Sequence, residues 1–552
     1  MKMSPPLNEK QDMINSRKQG TNFERIRAEK FNFLKEFSTR YGYNGKIDQI
    51  REKEYPQLKN AVYLDHTGST TYAKSAIKNF GRDLLSNLYG NPHSNSPSSR
   101  ASSARIEEVR KRILRHFNTN DEDYSVIFTA NATSAAKLVG EMIPWSKHST
   151  YKYLRESHNS INGLRRFVEK INPKNIVSLT ESDVVSMIKS AHKPDYIPKN
   201  REISEKSRRN PTYNLFAYPA QCNFSGMRFP LKWSREIKKL DTEREKTLVL
   251  LDAAAYVPTS PLSLADKKNS PDFVILSFYK IFGFPTGLGA LIVKNELEPI
   301  LQKDYFGGGT IESVAYDRPW QKFSKDMPTR YEDGTVNFLN IIALDHAFDS
   351  FERMYTNCDN ISMHVSSLIT FLSRNMKSFK HWNGKRVCIV NTDRDYSDSK
   401  QHGGIFSFNV KRADGTYLGY FDIEKLASVN GIHIRSGGNC NPGSITRWCG
   451  VRSSDVIENY YEGKTCNDDK DIYKGKHYGA ARLSVGAMTT IEDVLIWLDF
   501  FKRHYVEIMP GVTINDMSYD VDDKNSILSD EDTIKGGQSS FLAIFKSFFN
   551  FC

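Results

Sequence analysis

The sequence predicts an α/β protein, with a largely parallel sheet covered by helices and a smaller α+β domain joined to it. Two observations carry that prediction. From Val62 onward, short apolar runs alternate with longer stretches of helical character: Tyr124-Ser-Val-Ile-Phe128, Leu215-Phe-Ala-Tyr218, Leu248-Val-Leu-Leu251, Phe273-Val-Ile-Leu276 and Ala290-Leu-Ile-Val293. Such alternation is the pattern of strands feeding crossover helices. After about residue 400, Gly404-Ile-Phe-Ser-Phe-Asn409 and a helix starting near Phe421 mark a separate, smaller unit. A chain of 552 residues has room for both.

Taken in order, residues 1–60 are predicted to form a helical extension. Phe23, Ile26, Phe31, Phe33, Leu34 and Phe37 recur at helical spacing among charged residues, which suits an amphipathic helix packed on the body of the protein. Residues 61–345 form the large domain. Within it, 170–212 is polar and carries Pro173, Pro194, Pro198 and Pro211, so it reads as an inserted surface loop. Residues 346–506 form the small domain. The stretch 507–552 is acidic and polar, of disordered character, until Phe541-Leu-Ala-Ile-Phe-Lys-Ser-Phe-Phe-Asn-Phe-Cys552. That end is apolar enough to dock on the protein, a partner or a membrane surface, but it does not fit a prenylation box.

Composition narrows the function class. Hydrophobic content of 39% and charged content of 26% are ordinary for a globular protein, and no apolar run is long enough to span a bilayer. Met1 to Gly20 contains no apolar core of a secretory signal. A net charge of +12 admits nucleic acid, yet bases and acids are interspersed, as in Arg201-Glu-Ile-Ser-Glu-Lys-Ser-Arg-Arg209, and no aromatic-basic motif is present. Cys222, Cys358, Cys388, Cys440, Cys449, Cys466 and Cys552 are odd in number and form no CxxC pairs. A reducing, cytoplasmic setting without a metal site is therefore expected.

In open α/β sheets a ligand sits beyond the carboxyl ends of the strands. Lys280 follows the run Phe273–Leu276 in a Ser-Phe-Tyr-Lys turn, among apolar and aromatic residues that strip water from an amine and favour its neutral, nucleophilic form. A lone lysine in a turn is otherwise an ordinary surface residue. Asp252 ends another apolar run, 28 residues upstream. The pair supplies what pyridoxal 5'-phosphate requires: an amine for its aldehyde and an acid for its pyridine nitrogen.

Other segments complete the set. Thr129-Ala-Asn-Ala132-Thr133-Ser134 reads as a helix N-terminus, suited to a phosphate or simply capped by its own side chains. Ser277 and the Arg330-Tyr-Glu-Asp-Gly-Thr335 turn offer further hydroxyls, and His158 offers a ring to stack on a flat cofactor. Cys440 lies in the Gly-rich turn Arg435-Ser-Gly-Gly-Asn-Cys440, where an exposed loop and a nearby cation favour thiolate; an unreactive loop cysteine is the other reading. Arg482, in Ala481-Arg-Leu-Ser484, is a fork suited to a carboxylate, or to a surface ion pair.

The segments Tyr63-Leu-Asp65-His-Thr67-Gly68, Gly90-Asn-Pro92-His93-Ser94, Ser277-Phe-Tyr-Lys280, Phe306-Gly-Gly-Gly309-Thr310, Glu332-Asp-Gly-Thr335, Arg435-Ser-Gly-Gly-Asn-Cys440-Asn-Pro-Gly443, Cys466-Asn-Asp-Asp-Lys-Asp471 and Ala481-Arg-Leu-Ser-Val-Gly486 run in order along the chain. From about 60 to 506 they resemble the aminotransferase class V part of eukaryotic molybdenum cofactor sulfurases. The resemblance implies a fold type I pyridoxal phosphate-dependent transferase, with a mainly parallel seven-stranded sheet in its large domain. It further implies a homodimeric L-cysteine desulfurase.

Carried over by that resemblance, Lys280 would bind the cofactor as a Schiff base, Asp252 would pair with the pyridine nitrogen and His158 would stack on the ring. Asn223 would meet the phenolic oxygen. Ala132, Thr133 and Ser277 would hold the phosphate, with Thr335 from the other subunit. Arg482 would bind the cysteine carboxylate, and Cys440 would take the sulfur as a persulfide and release alanine. The acceptor beyond Cys440 stays open among molybdenum cofactor, a separate protein that binds it and a general thiol, and the residues after 506 do not resemble the family's C-terminal cofactor-binding domain.

Four positions depart from the pattern. Ala255 and Tyr279 stand where related desulfurases have glutamine and histidine, while Gly438 and Ile445 stand where sulfurases tend to carry further cysteines. Two other functions fit the same residues: another pyridoxal phosphate-dependent lyase or transaminase, and a non-catalytic binding protein that keeps the fold.

Overall fold

The computed structural model describes residues 24–191, 211–465, 468 and 470–509. Its core is a seven-stranded sheet. The strands are β1 (Tyr124–Thr129), β2 (Tyr151–Leu154), β3 (Ile176–Leu179), β4 (Thr212–Pro219), β5 (Glu245–Asp252), β6 (Phe273–Ser277) and β7 (Gly289–Lys294). In space they run β1-β7-β6-β5-β4-β2-β3. The five strands from β3 to β6 pair in parallel, and β7 runs antiparallel to both neighbours. The carboxyl ends of the other strands therefore share one edge.

Strand periodicity builds a core on each side of this sheet. Val126, Val249, Leu251, Val274 and Leu276 face one hydrophobic cluster, while Ile127, Leu248, Leu250, Phe273 and Ile275 face the other. Helix Pro97–His116 packs on the first face through Ile106, Val109 and Ile113, and helix Ala132–Met142 on the second through Ala135, Ala136 and Val139. With both faces covered, the strands read as unbroken apolar runs in the sequence.

Residues 170–212, read as a surface loop, contain secondary structure. β3 is the sheet's edge strand, followed by helix Glu181–Ala191. The strand is four residues long and only partly buried, so its apolar pattern was too weak to outweigh the surrounding prolines and charges.

The small domain is an antiparallel sheet of β8 (Cys388–Val390), β9 (Ile405–Lys411), β10 (Tyr417–Leu418), β11 (Arg435–Gly437) and β12 (Ala480–Ser484), in the order β8-β9-β12-β11 with β10 also on β9. Helices Cys358–Ser378 and Ile491–Tyr505 cover it. The N-terminal extension packs here. Residues 24–37 are helical and bury Ile26, Phe33 and Phe37, with Phe33 5.2 Å from Phe371, whereas Phe31 faces solvent. Arg25 pairs with Asp499, and Arg51 with Asp493 at 2.8 Å. Phe23, Cys466 and the apolar stretch 541–552 lie outside the described residues.

Two features fix the site. Val62–Tyr63 pairs in parallel with Ile432–His433, and Asp65 bridges Ser484, which brings Asp65 and His66 onto the small domain's sheet. Glu332 anchors the end of β1. Arg110 grips it with both amines, at 2.7 and 2.6 Å, and the Phe128 N–H donates to it at 2.6 Å, all buried. Glu332→Ala leaves the buried Arg110 guanidinium with only Glu107 and the Val126 carbonyl among the described residues, so a loss of about 3 kcal/mol in a urea unfolding titration is expected.

Candidate active site

Five of the strands that share an edge deliver the site. After β1, helix Ala132–Met142 begins; after β2 comes His158; after β4, Gln221 and Asn223; β5 ends in Asp252; after β6 comes Lys280. Asn131, Ala132, Thr133, His158, Asn223, Asp252, Ser277, Tyr279 and Lys280 are among the residues enclosing a cavity of about 210 Å³. The short helix Phe278–Phe282 presents Lys280, and Gly283 ends that helix at φ 76°.

Lys280 keeps some accessible surface inside the cavity, yet the protein packed around its amine pushes its pKa below the ordinary lysine value. Asp252 opposes that shift, and Arg482 and Arg435 add to it. The buried Asp252 accepts the Ala254 N–H on Oδ1 at 3.0 Å. His158 accepts the Ser160 N–H at Nδ1, 3.1 Å away, so its hydrogen sits on Nε2. Burial lowers its pKa; Asp252 works against this and Lys280 with it.

At the other end of the cavity, Asn131 caps the helix by accepting the Ser134 N–H at 3.0 Å, and Ser277 Oγ accepts the Ala132 N–H at 2.9 Å. Thr133 and Ser160 hydroxyls meet at 2.7 Å. Gly289 permits this arrangement, because a Cβ there would come within 2.6 Å of the Asn131 backbone. Backbone amides and hydroxyls gathered at a helix N-terminus suit an anion that would exchange for these partners.

The small domain closes the site. Arg482 on β12 is buried, donating from Nη1 to the Asn223 carbonyl at 2.8 Å and from Nη2 to Asp65 at 2.9 Å; among the described residues Nε has no hydrogen-bond partner. Asp65 also pairs with Arg435 at 2.9 Å. The Arg435 charge, expected to act on Cys440, is thus taken up by a carboxylate. Asp65 is the functional residue that sequence reasoning left without a role. Its contact with Arg482 spans 417 positions and leaves no local signal.

Cys440 is exposed, on a loop stitched to the cavity wall. The Asn159 N–H, next to His158, donates to the Cys440 carbonyl at 2.8 Å, and Asn223 donates to the Asn439 carbonyl at 2.8 Å. Asn441 reaches the Glu156 carbonyl and Asn223 Oδ1, both at 2.9 Å. Gly443 lets this loop close, since a Cβ there would fall 1.9 Å from the Arg155 carbonyl oxygen. Asn439 and Cys440 adopt left-handed φ of 51° and 52°, a cost these bonds offset.

Lys280, Asp252, His158, Ala132, Thr133, Asn223 and Ser277 thus meet at one cavity, with Arg482 and Cys440 tied to its wall. Asn223 spends both amide atoms on the Cys440 loop. Thr335 is not brought in: it is exposed on the Gly334 turn, accepting from Asn91 at 3.4 Å. Gln221 lines the cavity and donates to the Ala255 carbonyl at 2.8 Å, so a glutamine from a different segment lies against the position where related desulfurases carry one.

The aminotransferase class-V family profile matches residues 62–496. The chain is 39% identical over 508 residues to the molybdenum cofactor sulfurase of Oryza sativa subsp. japonica, covering 88% of this chain and 61% of that protein. It is 40% identical over 474 residues to that of Homo sapiens, covering 83% and 52%. The chain therefore spans little more than half the length of these relatives. Its fold is that of an apo cysteine desulfurase from Thermococcus onnurineus NA1, with a TM-score of 0.61, 19% identity and coverage of 83% of this chain and 97% of that one. The cystine C–S lyase C-DES, in complex with cysteine persulfide, superposes with a TM-score of 0.59 at 15% identity, covering 82% and 100%.

Proposed function

The chain belongs to the aminotransferase class-V family, and we propose that it is a pyridoxal phosphate-dependent L-cysteine desulfurase that collects sulfur on Cys440. One observation carries this reading. The Cys440 carbonyl is bonded to the segment that presents His158, so an exposed thiol is held beside a cavity containing a water-stripped lysine and a buried aspartate.

The residues fit the cofactor. Lys280 supplies the amine for its aldehyde, Asp252 a carboxylate for its pyridine nitrogen, His158 a ring to stack, and the Ala132–Thr133 turn with Ser277 a cradle for its phosphate. When bound, pyridoxal phosphate supplies an electron-accepting ring that weakens bonds at the amino acid's α-carbon. Arg482, whose buried Nε has no partner among the described residues, would bind the substrate carboxylate while Asp65 fixes the guanidinium plane. Lys280 Nζ, as a neutral amine, moves the proton at the substrate carbon. The Cys440 thiolate attacks the substrate sulfur, an S–S bond forms, and the C–S electron pair stays with carbon. That carbon takes a proton and leaves in alanine, so one thiol and one cysteine give one persulfide and one alanine.

The longer relatives are molybdenum cofactor sulfurases, and we assign the next transfer to molybdenum cofactor. We also assign a homodimer, in which the Thr335 turn reaches the other copy's phosphate site. The Gly334 N–H bonds the Gly308 carbonyl at 2.9 Å, and nearby Tyr305, Tyr316 and Trp320 are exposed. The five described cysteines are free, which suits a reducing cytoplasm, and no described helix is long and apolar enough to cross a membrane.

The test is alanine formation by the cofactor-loaded protein. L-Cysteine should give alanine and reducible sulfur in equal amounts, and turnover of another amino acid with none of cysteine would displace the reading. Asp65→Asn should raise KM for cysteine about tenfold with a smaller change in kcat, because Arg482 loses the partner that orients it.

A further inference from the structure

Behind Lys280 lies a second, smaller cavity of about 20 Å³, lined by His66, Thr70, Gln221, Lys280 and Gly486 among others. His66 is buried at 3% exposure, its ring admitted by Gly486, where a Cβ would come within 2.6 Å of the ring. His66 Nδ1 lies 2.9 Å from Thr70 Oγ1, and that hydroxyl donates its own hydrogen to Met488 Sδ at 3.5 Å. In the tautomer that uses both contacts, Nδ1 is the donor and carries the ring's hydrogen. Nε2 is left as a bare lone pair, buried and with no hydrogen-bond partner among the described residues. A buried acceptor left unpaired is costly, and a polar space above about 10–15 Å³ accepts one water.

We propose that His66 is a positioning residue for Lys280, acting through one ordered water that donates to His66 Nε2 and accepts an N–H of the Lys280 amine. The inference rests on Lys280 being the amine that holds the cofactor. Occupying one N–H on the far side turns the amine's lone pair toward the larger cavity, where it is needed whenever the lysine is free. His66 keeps its lone pair at working pH, since burial, with the Arg51 charge adding to it and Asp65 and the Tyr63 backbone opposing, holds its pKa at about 3. Asp252, Asp65, Arg482 and Arg435 act on Lys280, and His158 adjoins it.

The test uses cofactor-free protein, in which Lys280 acetylation by acetic anhydride is measured against pH by mass spectrometry of its peptide. An ammonium donates more strongly than an amine, so an acceptor favours the charged form. His66→Leu should shift the Lys280 midpoint down by about half a unit or more, and His66→Gln, with an amide oxygen as acceptor, should restore it. An unchanged midpoint in His66→Leu overturns the proposal. Should that variant not fold, a high-resolution crystal structure of the wild-type protein decides: a water bonded to both groups supports the proposal and a dry cavity overturns it. Covalent cofactor capture by Lys280→Ala would instead overturn the proposed function and leave the labelling result standing.

Discussion

Lys280→Ala should lose the yellow absorbance of covalently held pyridoxal phosphate and lower alanine formation from L-cysteine by about a thousandfold or more, equivalent to about 4 kcal/mol in the barrier. The size follows from two roles falling on one atom. On the proposed function, Lys280 Nζ would both capture the cofactor's aldehyde and move the proton at the substrate carbon, and no other described lysine lines the cavity. The lowered pKa sets the direction with pH: the neutral amine persists to lower pH than on an exposed lysine, so capture should remain fast below the range where surface lysines react. Lys280→Arg keeps the charge and lacks the nucleophile, and should fail equally. Either variant retaining covalent cofactor would remove the basis of the account.

Cys440→Ser should keep the absorbance and lose alanine formation by about a hundredfold or more, because a serine hydroxyl is a far weaker nucleophile toward sulfur than a thiolate. The separation of the two signals is the informative part. Cys440 lies outside the cavity lining, and its loop is held by backbone and asparagine contacts that serine leaves intact. Cys222 cannot replace it: that thiol is fully buried against Ser444 Oγ at 3.2 Å, under the same loop. Cys222→Ala should leave persulfide formation in place.

The parts of this site that were legible in the sequence are those carried by strand ends. An apolar run that stops at Asp252 or before Lys280 marks both the strand and the edge where its last side chains gather, because a strand buried on both faces has no polar interruption. Cys440 was visible as a thiol in a Gly-rich turn. Its left-handed backbone and its bond to Asn159 were not, since they depend on a segment 281 residues away in the chain (440 minus 159). Asp65 and His66 were hidden for the same reason. Their partners, Arg482 and Gly486, arrive from the far end of the chain on β12 and the turn after it. The edge strand β3 was missed because four half-buried residues carry little pattern.

The central claim is that the Lys280 cavity and the Cys440 loop form one site, with sulfur passing from the first to the second. Mass spectrometry of the cofactor-loaded protein after incubation with L-cysteine, without reductant, tests it most directly. The account predicts a gain of one sulfur atom on the peptide containing Cys440, absent from Lys280→Ala. Sulfur released or carried on another peptide while Cys440 stays unmodified would contradict it.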